Sequence, residues 1–288
     1  MAPPGLPYFK MNGIGNAILV VDGRTSGFVV TSSTARAAAA QPGLGFDQLM
    51  AIGRPRDGHR DAFVTIFNAD GTESGACGNG TRCVAWALLR DSVETAVTVE
   101  TAAGRLACRR LGPLRFSVDM GSPTLAWNAI PLARAVSDLQ HVPLRPVAGL
   151  PADLSHCAAV GMGNPHAVVF VPDVAAIPLA EVGPAIEHDP MFPARTNVSF
   201  AQVIDRSTIR LRVWERSAGA TLACGSAACA TAVAAVRAGR TDREVRVMLP
   251  GGDLAIEWRA EDGHVVMTGD VVLEHAGLLP AEVVEATG

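Results

Sequence analysis

The sequence has 288 residues, of which 49% are hydrophobic and 18% charged, so it predicts a globular chain with sizeable cores and excludes a disordered one. Lysine and arginine number 24 against 28 aspartate and glutamate, a net charge of −4 that argues against nucleic acid as a partner. No apolar run approaches ~18 residues and the first residues lack the pattern of a secretion signal, so we expect a cytoplasmic protein without a membrane helix.

Short β-branched segments bounded by Gly, Pro and Asn predict that strands dominate the first half. They begin with "AILVVD" (17–22) and continue with "DAFVTIFN" (61–68). A Gly-rich turn and a nearly uncharged helix in "RCVAWALLRD" (82–91) follow, and such a helix is expected to be buried inside its sheet. "AVTVETAAGRLACRR" (96–110) then predicts a hairpin with its turn at Ala-Gly.

The second half has the same order of predicted elements. "AVVFVP" (167–172) and "TIRLRVWE" (208–215) predict strands, "CGSAACATAVAAVRAG" (224–239) predicts a buried helix, and "EVRVMLPGGDLAIEWR" (244–259) predicts a hairpin with a Gly-Gly turn. Between the halves, the proline-containing segment 121–136, "GSPTLAWNAIPLARAV", is predicted to link two domains.

Three anchors relate the halves at a nearly constant offset. Cys224 minus Cys77 is 147, the same offset relates Asn68 to Glu215, and "GIGN" at 13–16 precedes "GMGN" at 161–164 by 148. We therefore predict an internal repeat and an α+β fold of two pseudo-symmetric lobes, each a mostly antiparallel or mixed sheet wrapped around a central buried helix. The predicted domains are 1–124 with 272–288, carrying Cys77, and 125–271, carrying Cys224, with the active site in the cleft between them.

The repeated cysteines each stand just before a predicted helix. A helix N-terminus carries unpaired N–H groups and partial positive charge, which favour a thiolate and should lower the cysteine pKa. If the helix starts of two related lobes converge, one thiol can remove a proton from a carbon while the other returns a proton to the opposite face. This pattern is typical of a racemase or epimerase that needs no cofactor.

Two simpler interpretations of the cysteines are a packing role and a zinc site. A cysteine is most often a small buried hydrophobic residue, and we apply that interpretation to Cys83, Cys108, Cys157 and Cys229. A zinc site is disfavoured, because the two cysteines of each motif do not have the close spacing usual for a pair of zinc ligands. The second cysteine of each motif also falls inside a predicted helix. We expect no metal.

The chain resembles the diaminopimelate epimerase family over nearly its whole length. The motifs that carry the resemblance are "FKMNGIGNAILVVD", "GFDQ", "FNADGTESGACGNGTRC", "GMGNPH", "RTNVSF" and "WERSAGATLACGSAACA". The resemblance implies cofactor-independent interconversion of LL- and meso-2,6-diaminopimelate in the synthesis of lysine and peptidoglycan precursors.

Roles follow from the resemblance position by position. Cys224 would take the proton and Cys77 donate it in the LL-to-meso direction, while His166 and Glu215 would adjust the proton affinity of the thiols. The substrate-binding set that the resemblance implies comprises Asn16, Gln48, Asn68, Gly78, Asn79, Asn164, Asn197, Glu215, Arg216, Gly225 and Ser226. The Glu215 and Arg216 charges suit the distal ammonium and carboxylate of an amino acid with two such ends.

The sequence departs from the family pattern at several positions. Ala17 replaces a common aspartate, Ala220 replaces a common glutamate, and "CGSAAC" lacks a glycine found in many relatives. Tyr8 is the only tyrosine, so a C-terminal tyrosine described at some dimer interfaces of the family is missing, although the resemblance still implies a homodimer.

Two rival functions remain open at this point. Proline racemases and hydroxyproline epimerases share the two-thiol design, but they typically have Cys-Gly-His-Gly where this chain has "CGNG" at 77–80. The second rival is a non-catalytic thiol switch, in which Cys77 and Cys224 would form a disulfide.

Overall fold

A computed structural model describes residues 5–56, 61–75, 77–148, 150 and 154–286. The chain packs into two compact units, unit 1 (Met1–Asp119 and Thr268–Gly288) and unit 2 (Met120–Met267). The predicted domain limits, after residues 124 and 271, remain a prediction. The active site predicted in a cleft between the two domains also remains a prediction.

The elements in chain order begin in unit 1. They are β1 (Pro7–Gly13), β2 (Asn16–Asp22), α1 (Ser32–Ala40), β3 (Gln48–Gly53), β4 (Ala62–Asn68), β5 (Glu73–Ser74), α2 (Gly78–Leu89), β6 (Ala96–Thr101), β7 (Gly104–Arg110) and β8 (Arg115–Asp119).

The chain then passes through unit 2 and returns to unit 1. The elements are β9 (Val142–Pro143), β10 (His156–Gly161), β11 (Pro165–Phe170), α3 (Leu179–Glu187), β12 (Asn197–Asp205), β13 (Thr208–Glu215), β14 (Gly219–Thr221), α4 (Gly225–Arg237), β15 (Glu244–Leu249), β16 (Gly252–Trp258), β17 (Val265–Asp270), β18 (Val272–Leu278) and α5 (Ala281–Val284).

In unit 1 a mixed sheet surrounds α2. Strands β2 and β3 pair in parallel, as do β4 and β6, whereas β1 with β2, β3 with β4 and β6 with β7 are antiparallel. Helix α2 contacts β1, β2, β3, β6, β7 and β8, and most of its residues are buried. The sheet therefore wraps the nearly uncharged helix, as the absence of a polar face predicts.

Helix α1 of unit 1 begins with a capping box. The Thr34 N–H donates to Thr31 Oγ1 (3.2 Å), and the Thr31 N–H donates to Thr34 Oγ1 (3.3 Å), so two N–H groups at the helix start are satisfied. The helix ends before Pro42, which lacks an N–H, and before Gly43, whose φ of 83° is not helical. Its buried Ala35 and Ala38 pack in a cluster with Leu19, Leu49 and Phe67 of the sheet.

Unit 2 repeats this topology. Strands β11 and β12 pair in parallel, as do β13 and β15, while β10 with β11, β12 with β13 and β15 with β16 are antiparallel. Helix α4 contacts β10, β11, β12, β13, β15 and β16. Leu179, the first residue of α3, follows Ser32, the first of α1, by 147, the offset between the two cysteines. The α+β class and the wrapped-helix architecture are thus confirmed.

Three details differ from the sequence interpretation. The hairpin turns lie one residue earlier than predicted, at 102–103 and 250–251, because Gly104 (φ 123°) and Gly252 (φ 145°) start the second strands in conformations that favour glycine. The segment 121–136 is no linker, since it belongs to unit 2 and places Ile130 and Leu132 in that unit's core. Helices α1 and α3 were not predicted.

The helices in the described part of the chain are too short or too polar for a membrane span.

Candidate functional site

The predicted site residues of unit 1 lie along one edge of its sheet. Asn16 begins β2, Gln48 begins β3 and Asn68 ends β4. Because β2 is parallel to β3 and β4 is antiparallel to it, these positions share an edge, and Gln48 is paired directly with Asn68. Asn68 also donates from Nδ2 to Thr72 Oγ1 (3.0 Å), which stabilises the turn that follows β4.

Cys77 is the N-cap of α2 beside that edge. Its backbone is extended (φ −149°), and its sulfur accepts the Gly80 N–H at 3.3 Å. The thiol lies 3.7 Å from Asn16 Oδ1 and 3.6 Å from Gln48 Oε1, both of which can accept its proton. Gly78 and Asn79 form the first turn, and Asn79 Oδ1 accepts from Arg82 Nη2 (3.1 Å). Unit 1 therefore presents a thiol among neutral amides.

Asp47 fixes the orientation of the Asn16 amide. Its Oδ2 accepts the Asn16 Nδ2–H (3.0 Å) and the Ala17 backbone N–H (2.8 Å). A carboxylate at neutral pH only accepts hydrogen bonds, so Asn16 must turn its NH₂ group to Asp47 and its oxygen to Cys77. Asp47 directly precedes Gln48 in "GFDQ", but it was not among the predicted site residues. Asp47 contacts the backbone N–H of Ala17 and not its side chain. This hydrogen bond therefore does not depend on the aspartate that is common at position 17.

We expect Asp47→Asn to lower kcat/KM for the reaction of this site about tenfold or more, because a hydrogen bond to a charged group contributes roughly 1.5–3 kcal/mol. The amide of the variant no longer dictates which end of Asn16 faces the thiol. Steady-state kinetics would measure the change. Asp61→Asn is a matched control, since the exposed Asp61 accepts the Thr98 N–H (2.8 Å) instead. Equal kinetics for both variants would contradict the orienting role.

Unit 2 arranges its predicted residues at the equivalent edge. Asn164 precedes β11, Asn197 begins β12 and Glu215 ends β13, and His166 is paired with Asn197 across the parallel strands. Asn197 is 3% exposed and donates from Nδ2 to the Pro165 carbonyl (3.0 Å), while its Oδ1 accepts the Arg216 N–H (3.0 Å). This amide therefore ties β11 to the end of β13.

His166 is a buried neutral imidazole. Its Nε2–H donates to Asn164 Oδ1 (2.7 Å), and Nδ1 is buried without a hydrogen-bond partner. Burial, aided by the positive charge of Arg216, lowers the His166 pKa from 6.5 to about 3. His166 therefore cannot act as a cation near neutral pH. The group of His166 that remains available to the site is the lone pair on Nδ1, which can accept a hydrogen bond.

The low His166 pKa predicts acid destabilisation. The unfolded state binds a proton near pH 6.5 whereas the folded state binds it only near pH 3, so the contribution is complete above pH 6.5 and decreases as the pH falls toward 3. Between pH 7.5 and pH 5 we expect a loss of about 2 kcal/mol in the free energy of unfolding, measured by urea titration. His166→Gln should lose less over this range, and the exposed His188→Gln variant should behave like the parent protein.

Cys224 is the N-cap of α4 and is 6% exposed. Burial raises its pKa well above the usual range, and the negative charge of Glu215 raises it further, whereas Ser226 and the Ala227 N–H oppose the shift. The Ser226 hydroxyl lies 3.6 Å from its sulfur. The expectation that the helix start lowers the pKa is wrong for this thiol, because desolvation outweighs a dipole effect of about 0.3–1 kcal/mol.

Glu215, the last residue of β13, and Arg216, which follows it, have different surroundings. Glu215 acts on the Cys224 thiol and accepts the Thr221 hydroxyl at Oε1 (2.7 Å), which favours a role in adjusting proton affinity. The exposed end of Arg216 donates from Nη1 to the Ala194 carbonyl (3.2 Å). The structure thus brings Glu215, Cys224, Gly225 and Ser226 together and leaves Arg216 at the turn.

The remaining cysteines are structural. Cys83, Cys108, Cys157 and Cys229 are each no more than 2% exposed. Burial raises the pKa of Cys83 and Cys108 to about 12, so these thiols stay protonated and are poor metal ligands. The position of Cys83 and Cys229 inside α2 and α4 argues against the zinc interpretation.

The family model for diaminopimelate epimerase matches residues 8–126 and 158–274. The chain belongs to the diaminopimelate epimerase family. It is 56% identical over 268 residues to a diaminopimelate epimerase of Methylocella silvestris, covering 92% of this chain and 91% of that protein. It is 50% identical over 281 residues to one of Afipia carboxidovorans, covering 97% of each.

Solved structures similar to this member of the diaminopimelate epimerase family share its fold at low identity. A phenazine biosynthesis protein of the PhzF family from Bacillus anthracis has a TM-score of 0.69 at 16% identity, covering 96% of this chain and 99% of that one. A probable proline racemase from Agrobacterium radiobacter has a TM-score of 0.65 at 16% identity, covering 96% and 93%. At these identities the likeness concerns the fold alone.

Proposed function

We propose that the chain catalyses the epimerisation of LL-2,6-diaminopimelate to meso-diaminopimelate with Cys77 and Cys224 as the acid and base. The observation that carries the proposal is the repeated placement of a cysteine as the N-cap of each central helix, in a chain about half identical to diaminopimelate epimerases. The reaction serves the synthesis of lysine and peptidoglycan precursors.

In the forward direction the Cys224 thiolate takes the proton from Cα, and the electron pair of the broken C–H bond is delocalised onto the α-carboxylate. Cys77 then gives its S–H proton to the opposite face, which leaves a Cys77 thiolate and a Cys224 thiol. Burial and Glu215 raise the Cys224 pKa, so its thiolate is a stronger base once formed. The substrate ammonium, placed near this thiol, would favour the thiolate by its positive charge.

The carbanion is stabilised by N–H groups at the starts of α2 and α4. The proposed donors are the backbone groups of Gly78, Asn79, Gly225 and Ser226. By analogy with oxyanion holes, each donor contributes roughly 3 kcal/mol to the transition state. Asn16, Gln48, Asn68, Asn164, Asn197 and Arg216 complete the proposed substrate-binding set, and His166 is proposed to act on the proton affinity of the thiols.

The proposal is tested by solvent hydrogen exchange. The reduced protein, incubated in heavy water with LL-diaminopimelate, should place deuterium at Cα and form the meso isomer, while proline stays unlabelled. Labelled proline with inert diaminopimelate would move the substrate to the proline racemase class. Failure to exchange either compound would favour a thiol switch, which mass spectrometry would then detect as a Cys77–Cys224 disulfide under oxidation.

We further propose a homodimer that uses β18. The residues of this strand are all exposed, including Val272 (53%), Leu273 (37%) and Leu278 (62%). The adjacent β1 supplies Tyr8, whose hydroxyl lies 3.3 Å from His275 Nδ1. Sedimentation equilibrium should give a dimer, and Leu278→Glu should shift it to monomer. A monomeric parent protein would refute the proposal.

A cytoplasmic location is proposed from the thiols. All six cysteines are thiols rather than halves of disulfides, which suits a reducing compartment.

A further inference from the structure

Strained backbone marks the proposed substrate-contacting segments. In the described part of the chain, the non-glycine residues with positive φ are Ile14 (55°), Arg195 (59°) and Ser217 (66°). Each lies within two residues of a proposed substrate contact, namely Asn16, Asn197 or Arg216. Such conformations persist only when surrounding contacts enforce them. Each strained turn therefore needs a restraint.

In unit 2 both strained residues contact one buried carboxylate. Glu187, at the end of α3, is 4% exposed. Its Oε1 accepts the Ser217 N–H (3.1 Å) and lies 3.8 Å from Arg195 Nη1. The strained turn of unit 1 is restrained locally instead, since the Gly15 N–H donates to Asn12 Oδ1 (2.7 Å).

The second oxygen of Glu187 anchors the strand that leads into the turn. Trp214 Nε1–H donates to Glu187 Oε2 (2.8 Å), and Trp214 directly precedes Glu215. One helical turn earlier, Gly183 lets α3 approach the indole so closely that an added Cβ would lie 2.5 Å from Trp214 Cγ. The Glu187 carboxylate thus holds both ends of the 214–217 segment, through Trp214 at one end and Ser217 at the other.

The two segments that Glu187 contacts, at Arg195 and at Ser217, also contact each other. Asn197 Oδ1 accepts the Arg216 N–H (3.0 Å), and Arg216 Nη1 donates to the Ala194 carbonyl (3.2 Å). A displacement of the turn would therefore move Glu215 away from the Cys224 thiol and alter the position of Arg216. Glu187 thus contacts both strained segments through one carboxylate oxygen.

We infer that Glu187 is a positioning residue, which restrains the strained turns at Arg195 and Ser217 and thereby places Glu215 beside Cys224 and Arg216 beside Asn197. The inference deepens the proposed function and rests on it for its catalytic consequence. A residue with only a structural role would stabilise α3 without affecting the proton chemistry of Cys224.

The test compares Glu187→Gln with Glu181→Gln, an exposed glutamate on the same helix. Ser217 and Trp214 donate to different oxygens of Glu187, and the amide of the variant places an NH₂ donor at one of these two positions, so one of the two hydrogen bonds is lost. We expect Glu187→Gln to slow deuterium entry at Cα of diaminopimelate by roughly ten- to a hundredfold. Glu181→Gln should match the parent protein, and equal rates for the two variants would overturn the inference.

Rescue by glycine separates positioning from simple loss of stability. Glycine adopts the Ser217 conformation without strain, so adding Ser217→Gly to Glu187→Gln should restore several-fold of the exchange rate. A double variant that is as slow as Glu187→Gln would show that Glu187 is structural only and would overturn the inference.

A readout without substrate keeps the inference independent of the proposed function. The pH midpoint for alkylation of Cys224 by iodoacetamide, followed by peptide mass mapping, should be lower in Glu187→Gln than in Glu181→Gln, because Glu215 is displaced from the thiol. An unchanged midpoint would overturn the inference even if the parent protein exchanges diaminopimelate. A parent protein that fails to exchange, together with a lowered midpoint, would refute the proposed function alone.

Discussion

Replacing either Cys77 or Cys224 with alanine is expected to lower the rate of epimerisation by about 10²–10⁴-fold, the usual contribution of a general acid or base. Each thiol is the proposed proton carrier of its own unit, with amide oxygens around Cys77 and Glu215 near Cys224. Steady-state formation of meso-diaminopimelate measures the loss. Circular dichroism should confirm that both variants are folded.

The controls come from the same two helices. Cys83→Ala in α2 and Cys229→Ala in α4 remove fully buried thiols of equal size, so any loss due to packing alone appears in them as well. We expect both to keep turnover close to that of the parent protein. Near-normal turnover in Cys77→Ala would contradict the two-base mechanism, whatever the controls show.

Glu215→Gln is expected to shift the rising limb of the kcat/KM profile to lower pH. Burial is the larger cause of the raised Cys224 pKa and the Glu215 charge the second, so removing the charge lowers the pKa while burial keeps it above the usual range. The free enzyme must lose the Cys224 proton to act as a base, and each unit by which the pKa falls raises the thiolate fraction about tenfold at a pH below it.

Glu257→Gln provides a matched exposed control for the charge change in unit 2. The same shift should be seen in the pH dependence of Cys224 alkylation, which does not require substrate binding. If the midpoint in Glu215→Gln equals that in Glu257→Gln, burial alone sets the Cys224 pKa. The assigned role of Glu215 would then be wrong.

The central helices and their strands could be predicted because their signals are local. A cysteine followed by Gly-Asn-Gly or Gly-Ser and then a nearly uncharged run is sufficient to predict α2 and α4, and β-branched runs predict their neighbours. Helix α1 could have been found from Thr31 and Thr34 before the alanine run, which form its capping box.

The restraints behind the site could not be found in this way, since they join residues far apart in the chain. Asp47 contacts Asn16 across 31 positions and Glu187 contacts Ser217 across 30, and neither carboxylate stands out within its own segment. The sign of the Cys224 pKa shift likewise depends on burial by the folded unit, which the helix-start pattern does not contain. Local pattern thus predicts the thiols, and only tertiary structure shows what sets their chemistry.

The pairing of β1 with β18 has a consequence for the order in which the chain folds during synthesis. Unit 2 is contiguous in the sequence, so all of its residues have been made once residue 267 is added. The sheet of unit 1 cannot be completed at that stage, because β1 pairs with β18. Tyr8 is paired with Gly277, so the partner strand of β1 is translated some 270 residues later. A released chain that ends at residue 271 should therefore protect unit 2 from protease while β1 remains open to cleavage.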